Sequence, residues 1–164
     1  MSHTGPPYEN EIFAVERHEV GGVKHLHLAG IIDEFADLSF LAHLQGRVLV
    51  HLEEVRRINS YGVRIWIDGV RSIPAEAEVI FRQVPVPLVE QMNMVNGFFG
   101  RGKVESFVAP MVCRACGQTQ KVLFDVSDCV AAEAQPLEAR CSACDGELEL
   151  DDIEEQYLAF LRDF

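Results

Sequence analysis

The sequence predicts an α/β (α+β) fold, in which a mixed β-sheet with its helices on one face is followed by a small metal-binding module. Two observations lead to this prediction. Short strand-like runs of apolar residues alternate with amphipathic helical runs in the order ββαβαβαβ, and the opening hairpin requires at least one antiparallel pair. Beyond residue 110 this alternation ends, and four cysteines in two C-x-x-C pairs follow.

The first two strands form a predicted hairpin. Residues 12–20 and 23–29 alternate apolar and polar side chains, and Gly21-Gly22 between them is a strong turn signal. In the second strand, His25 and His27 point to the same face of the sheet. Histidines spaced i, i+2 on a strand can bind a metal ion, but the simpler interpretation is a pair of exposed side chains on a solvated face.

The remaining elements follow in a regular order, and Pro74 and Pro110 mark the ends of two of them. They are a short helix over residues 37–44, a buried strand over 48–52, a helix over 61–73, a strand over 78–84, a helix over 87–95 and a last strand over 103–108. Residues 152–164 predict a C-terminal amphipathic helix. Its apolar residues recur at helical spacing: Ile153, Tyr157, Phe160, Leu161 and Phe164.

Four cysteines have the spacing of a metal site. Cys113 and Cys116 form one C-x-x-C pair, Cys141 and Cys144 form the other, and 24 residues separate the two pairs. A C-x-x-C turn brings both of its sulfurs to one ion, so two pairs supply the four thiolates of a structural zinc site. With four protein ligands no position remains for a catalytic water. An Fe–S cluster and a redox dithiol are the alternatives.

The residues beside the cysteines agree with a metal site. Gly117 and Gly146 each follow a C-x-x-C pair and are predicted to supply the positive φ that closes its turn. Arg114 and Arg140 are predicted to offset part of the negative charge that four thiolates leave on Zn²⁺. The fifth cysteine, Cys129, lies outside both pairs and is interpreted as a small apolar residue, because a reactive thiol needs an electropositive setting.

The charge and composition of the chain limit which partners and which location are expected. The formal net charge is −12, and residues 111–164 contain four basic residues against twelve acidic ones. Nucleic acid and anionic membranes are therefore poor partners, since each would have to overcome a repulsive field. The N-terminal residues lack the features of a signal peptide, and no stretch approaches the roughly 18 apolar residues that cross a bilayer. We expect a cytoplasmic protein without membrane insertion.

A second motif joins the buried strand to the following helix, in the run HLEEVRRINSYGVR at residues 51–64. Asn59 or Ser60 is predicted to cap the helix, whose exposed N-terminus can hold a phosphate or a partner's carboxylate. Together with LHLAGIID at residues 26–33, this run resembles the STAS domain, named for sulphate transporters and anti-sigma-factor antagonists. The resemblance covers about residues 11–110, including the order of elements.

The resemblance implies a protein–protein module that docks a kinase or an ATPase subunit at this helix start, usually under control of a phosphorylated serine. Tyr61 stands here at the position of that serine, directly before Gly62, and Ser60 is assigned to helix capping. The aspartates that flank the site in phosphorylated members correspond to His51 and Asn59. We therefore expect a constitutive protein contact. The expected partner-binding residues are Arg57, Asn59, Ser60, Tyr61, Gly62 and Arg64.

These inferences predict three units: a STAS-like domain over residues 1–110, a zinc-ribbon module over 111–150, and a C-terminal helix over 151–164 that packs on the domain or on a second subunit of a homodimer. The expected function is that of a non-enzymatic bacterial signalling or assembly adaptor, since no catalytic constellation is visible. Its partner would be a kinase-like regulator, an ATPase subunit or a scaffold. The alternatives are an accessory subunit of a transporter ATPase and a zinc-ribbon regulator that binds nucleic acid.

Overall fold

The computed structural model describes residues 12–132 and 137–164, and it contains two β-sheets. The strands are β1 (Ala14–Val20), β2 (Val23–Ile32), β3 (Arg47–Ile58), β4 (Glu78–Arg82), β5 (Lys103–Val104), β6 (Ser106–Cys113), β7 (Thr119–Asp125) and β8 (Leu148–Leu150). The helices are α1 (Ser60–Arg71), α2 (Val86–Met94), α3 (Val126–Ala131) and α4 (Glu154–Tyr157), with 3₁₀ helices at Ser39–His43 and Ala159–Asp163. None of these helices is long and apolar enough to span a bilayer.

The larger sheet has the order β1-β2-β3-β4-β5 and confirms the predicted mixed α/β (α+β) fold. β1 is antiparallel to β2, and all later neighbours are parallel. Gly21 and Gly22 form the hairpin turn, both at positive φ as the turn signal predicted. β3 extends well beyond the predicted residues 48–52, because its pairing with β2 continues through two register shifts as far as Ile58.

α1 covers the core face of this sheet. Its buried residues, Gly62, Trp66 and Val70, follow one another at i, i+4 and i+8. The indole Nε1 of Trp66 donates a hydrogen bond to the carbonyl oxygen of Phe98 at 2.9 Å, and its ring contacts those of Phe81 and Phe98. The helix is thereby fixed both to the sheet and to the loop that follows α2.

The predicted last strand over residues 103–108, ended by Pro110, is wrong. β5 completes the first sheet with two residues, and β6 then runs through Pro110 into the second sheet, whose order is β7-β6-β8. Proline lacks an N–H group but keeps its acceptor, and the carbonyl oxygen of Pro110 accepts a hydrogen bond from the Asp151 amide at 2.8 Å. The division of the chain at residue 110 stays a prediction.

The predicted single helix over residues 152–164 is also wrong, because the segment forms α4 and a separate 3₁₀ helix. The side chain of Asn93 explains the break: it donates to the carbonyl oxygen of Tyr157 and accepts from the amide of Phe160, both at 2.8 Å. These backbone groups are thus bonded outside the helix. Tyr157 and Phe160 are each only 3% exposed, so the segment packs on the domain, whereas Ile153 is 59% exposed.

The burial of Phe160 gives a prediction about stability. Its ring lies edge-on to that of Phe107 with the centroids 5.0 Å apart. Truncating a buried phenylalanine to alanine typically costs about 3–5 kcal/mol. Phe160→Ala should therefore lower the free energy of unfolding strongly, whereas the matched change Ile153→Ala should alter it by less than about 0.5 kcal/mol. Denaturant melts measure both, and equal effects would show that the segment is not docked.

Candidate functional site

The four predicted cysteine ligands converge on one point. Their Sγ atoms all lie within 4.8 Å of one another, with 3.5 Å between Cys113 and Cys144 and 3.7 Å between Cys116 and Cys141. Four sulfurs placed tetrahedrally at about 2.3 Å from one ion would lie about 3.8 Å apart. The observed separations are close to that value and far longer than a disulfide bond. The donor set therefore fits one metal ion.

Two backbone turns of matching form hold these sulfurs. In the first, the amide of Gly117 donates to the carbonyl of Cys113 at 2.9 Å. In the second, the amide of Asp145 donates to the carbonyl of Cys141, also at 2.9 Å. β6 delivers the first turn at its end, and the amide of Arg114 donates to the carbonyl of Glu147 at 3.1 Å, which joins the two turns. The site is therefore built into the second sheet.

The predicted role of the two glycines holds at one turn only. Gly117 has φ +74°, as expected, but at the second turn the equivalent position is Asp145, with φ +59°. Aspartate tolerates this conformation better than most residues. Gly146 is required for a different reason: a Cβ atom there would lie 3.0 Å from the sulfur of Cys113 and 3.1 Å from that of Cys144. The glycine keeps space for the sulfurs.

The thiols differ in acidity without a bound cation. The backbone N–H of Cys116 is the main cause that lowers the pKa of Cys113 to about 6. For Cys144, the N–H of Gly146 acts in the same direction, but the thiol groups of Cys113, Cys116 and Cys141 outweigh it and raise the pKa to about 12. A second negative charge beside the first is unfavourable, and a metal cation removes that obstacle.

Polar side chains around the cysteines form hydrogen bonds and an ion pair among themselves. Arg114 forms an exposed ion pair with Glu149 at 2.8 Å, so its charge is shared with that carboxylate as well as with the site. The side chain of Gln120 lies 3.5 Å from the sulfur of Cys141.

Cys129 lies apart from the four ligands and is half-buried. Burial is the main cause that raises the pKa of its thiol, and the nearby Asp128 and Asp125 add to the effect. This agrees with the unreactive role expected for it.

The second candidate site is the start of α1. The amide of Gly62 donates to Oδ1 of Asn59 at 2.8 Å, so Asn59 caps the helix. The capping role assigned to Ser60 is wrong, because Ser60 is already the first helical residue. Ser60 and Tyr61 are exposed, and Tyr61 has 65% of its surface accessible. Arg57 and Arg64, also predicted to bind a partner, are likewise exposed.

Gly62 is fixed by a close approach between this helix start and β2. A Cβ atom at position 62 would lie 1.9 Å from the carbonyl oxygen of Ile32, so only glycine fits. The amide of Asn59 donates to the same carbonyl oxygen at 3.2 Å. The end of β2 and the start of α1 are therefore held together through their backbones, which gives the exposed residues a rigid base.

Sequence reasoning missed the loop after β2. Nδ2 of Asn59 donates to a carboxylate oxygen of Glu34 at 3.2 Å, which brings residues 33–37 beside the helix start. Phe35, in this loop, is 85% exposed. The signal in the sequence is a phenylalanine within an acidic run, Asp33-Glu34-Phe35-Ala36-Asp37, which has no apolar periodicity to explain it. Two exposed aromatic residues, Phe35 and Tyr61, thus flank the bond between Glu34 and Asn59.

The histidines of the second strand are not simply solvated. His25 and His27 are half-buried and lie beside His18 and His51 on the face of the sheet opposite the core. Burial is the main cause that lowers the pKa of His51, and the nearby His27 adds to it. The pKa of His25 is also lowered, by desolvation and by His18 and His27. The lowered pKa values favour the neutral forms of His25 and His51.

Comparison of the chain with protein-family models and with curated proteins gives no match. The resemblance to STAS domains therefore depends on the motif around Asn59 and Gly62 and on the order of elements in the larger sheet.

The geometry of the sulfurs predicts one metal ion per chain. Cys113→Ser should reduce the bound metal well below one equivalent and lower the thermal stability of the protein, because metal binding contributes folding free energy. Cys129→Ser is the matched control and should keep both values. Elemental analysis and thermal melts with and without a chelator measure them, and an unchanged metal content in Cys113→Ser would contradict the assignment.

Because Asn59 and not Ser60 caps α1, substitutions at these two neighbouring positions should differ in their effect on stability. Asn59→Ala removes the acceptor for the Gly62 amide and should lower the free energy of unfolding by about 0.5–2 kcal/mol. Asn59→Ser retains an acceptor and should recover much of the loss. Ser60→Ala should change stability by less than about 0.5 kcal/mol. Denaturant melts distinguish these outcomes, and a larger loss for Ser60→Ala than for Asn59→Ala would contradict the cap.

Proposed function

We propose that the protein is a STAS-like, non-enzymatic adaptor of the cytoplasm, which binds a protein partner at the start of α1 and carries a structural zinc site. The observation that carries this proposal is that two strongly exposed aromatic residues, Tyr61 in the first turn of α1 and Phe35 next to Glu34, belong to segments that the bond between Glu34 and Asn59 joins at a rigidly held helix start. Aromatic side chains are enriched in protein interfaces, and tyrosine is enriched among the residues that anchor them.

Zinc is the ion that suits the four sulfurs best. Thiolate donors favour Zn²⁺ or an Fe–S cluster, and a tetrahedral set of four is the common form of a structural zinc site. The sulfur separations of 3.5 and 3.7 Å suit a single ion and leave little room for a larger cluster. All four positions would be filled by cysteine, so the ion has a structural role.

The chemistry of the helix start favours a constitutive contact over a phosphate switch. The position at which the STAS resemblance implies a phosphorylated serine holds Tyr61, and Ser60 does not act as the cap. Glu34 is bonded to Asn59 at the same place, and a phosphate group added to Ser60 would lie near this carboxylate. Arg64, exposed three residues after Tyr61 on α1, adds hydrogen-bond donors to this surface.

The acidic C-terminal third supports a protein partner over nucleic acid. Residues 111–164 carry twelve acidic residues against four basic ones. A ribbon that binds phosphates needs lysine and arginine on its surface. The ion pair between Arg114 and Glu149, beside the metal site, further reduces the basic character there.

The proposal is tested by affinity purification with single variants. Tyr61→Ala and Phe35→Ala should each weaken capture of the same partner at least tenfold while leaving the melting temperature unchanged, because both side chains are exposed. Met94→Ala is the matched control, since Met94 is 70% exposed at the end of α2. A partner that binds the wild type and both variants equally would refute the assignment of this surface.

A further inference from the structure

Four of the six histidines of the chain meet on one face of the larger sheet. His18 lies on β1, His25 and His27 on β2, and His51 on β3. In the strand register, His18 is directly opposite His25, and His27 is directly opposite His51. Three adjacent strands therefore hold these side chains at positions that the backbone ladder fixes.

The four rings form a closed set of contacts, which we call the histidine cluster. Their centroids are 4.7 Å apart for His18 and His25, 5.3 Å for His25 and His51, 4.2 Å for His51 and His27, and 5.1 Å for His27 and His18. No pair is inclined by more than 16°. Each ring thus lies beside two others on the same face of the sheet.

Within the cluster, Nδ1 of His25 and Nε2 of His51 are 3.1 Å apart. The ring planes are nearly parallel and the centroids are 5.3 Å apart, so the two nitrogens face each other at hydrogen-bond distance, and the tautomers decide which ring donates. Two imidazole ligands at about 2.0–2.1 Å from one tetrahedral ion would lie about 3.3 Å apart. The observed separation is therefore already close to the spacing of two ligands.

We propose that His18, His25, His27 and His51 form a second metal site, which binds a divalent transition-metal ion such as Zn²⁺ through imidazole nitrogens. The ion replaces the hydrogen bond between His25 and His51: the donating ring carries its proton on its other nitrogen instead, after exchange with water, and the rings turn so that their free nitrogens point to the ion. Neutral imidazole is a good ligand for zinc, nickel and copper. This site is separate from the four cysteines and independent of the partner proposed at α1.

The charges around the cluster permit a cation. Arg82 lies opposite His51 on β4, but it forms an ion pair with Glu105, which reduces its repulsion. Glu16 lies opposite His27 on β1 and contributes a negative charge at the rim. The exposed or half-buried state of the four rings leaves them free to turn toward an ion.

A further residue, Gln83, lies beside His51. Nε2 of Gln83 donates to a carboxylate oxygen of Glu53 at 2.9 Å, and the backbone amide of Gln83 donates to the hydroxyl of Ser106 at 2.9 Å. A fixed polar side chain beside the ring is usual at histidine metal sites, because it orients the imidazole.

The test is a titration of the full chain with Zn²⁺ after its cysteine site has been loaded and the metal content checked. Isothermal titration calorimetry should show one additional equivalent, and the ring nitrogens of the four histidines should shift in NMR spectra. His25→Ala and His51→Ala should each weaken this binding by at least about tenfold. His43→Ala is the matched control, because His43 is exposed and lies outside the cluster.

The proposal is overturned if no Zn²⁺ binds beyond the equivalent at the cysteine site. It is also overturned if the double variant His25→Ala/His51→Ala binds the additional Zn²⁺ with unchanged affinity. If the double variant melts early, His18→Ala decides the matter, since His18 is exposed on an edge strand and its loss should not affect folding. Retention of the full affinity in His18→Ala and in both single variants would then count against the site.

Discussion

β6 leaves the edge of the larger sheet at Ser106 and ends at Cys113, whose sulfur is one of four donors that converge on a single point. Near its start the strand is bonded to Val84: the Val84 amide donates to the Ser106 carbonyl, and the Val108 amide donates to the Val84 carbonyl. β7 pairs with it from Ser106 to Val112, and β8 pairs with its last residues. Because β6 is bonded both to Val84, which follows β4, and to the two other strands of the second sheet, the position of the metal site relative to the larger sheet follows from backbone hydrogen bonds. The C-terminal segment depends on the same strand through the bond from the Tyr157 hydroxyl to the carbonyl of Val108.

The start of α1 is also held in place by close backbone contacts. The carbonyl oxygen of Ile32 is so close to position 62 that only glycine fits, and the side chain of Asn59 bonds both the Gly62 amide and Glu34. These bonds place Tyr61 and Phe35 on a surface that cannot easily rearrange. A rigid base lowers the conformational entropy lost on binding, and this favours a constitutive contact.

The sequence predicted the features that depend on local chemistry. The C-x-x-C spacing identified the four cysteines, the paired glycines identified the hairpin turn, and Asn59 was one of two candidate caps. It did not predict features set by distant contacts. Pro110 looked like a strand end because the partner of its carbonyl oxygen, the Asp151 amide, lies some 40 residues later in the chain. The C-terminal helix is broken by Asn93, which lies more than 60 residues earlier in the chain.

At the candidate sites, too, the features that the sequence did not predict depend on distant contacts. Gly146 was expected to supply a positive φ, but its role depends on two sulfurs that only the folded chain brings near it. His25 and His27 looked solvated because His18 and His51 join them only through strand pairing. Phe35 was missed because its segment is brought to the start of α1 by a bond between Glu34 and Asn59 that only the folded chain forms. In each case the sequence contains the residue, but only the fold shows which residues lie next to it.

The central claim is that one ion, bound by four cysteine sulfurs, holds the two turns of the second sheet in place. Amide hydrogen exchange, compared between metal-loaded and metal-stripped protein, tests it most directly. Removal of the ion should abolish protection at the amides of Gly117 and Asp145, which close the two turns, while the amides of β2 and β3 remain protected. Equal protection of the Gly117 and Asp145 amides in the two forms would contradict the claim.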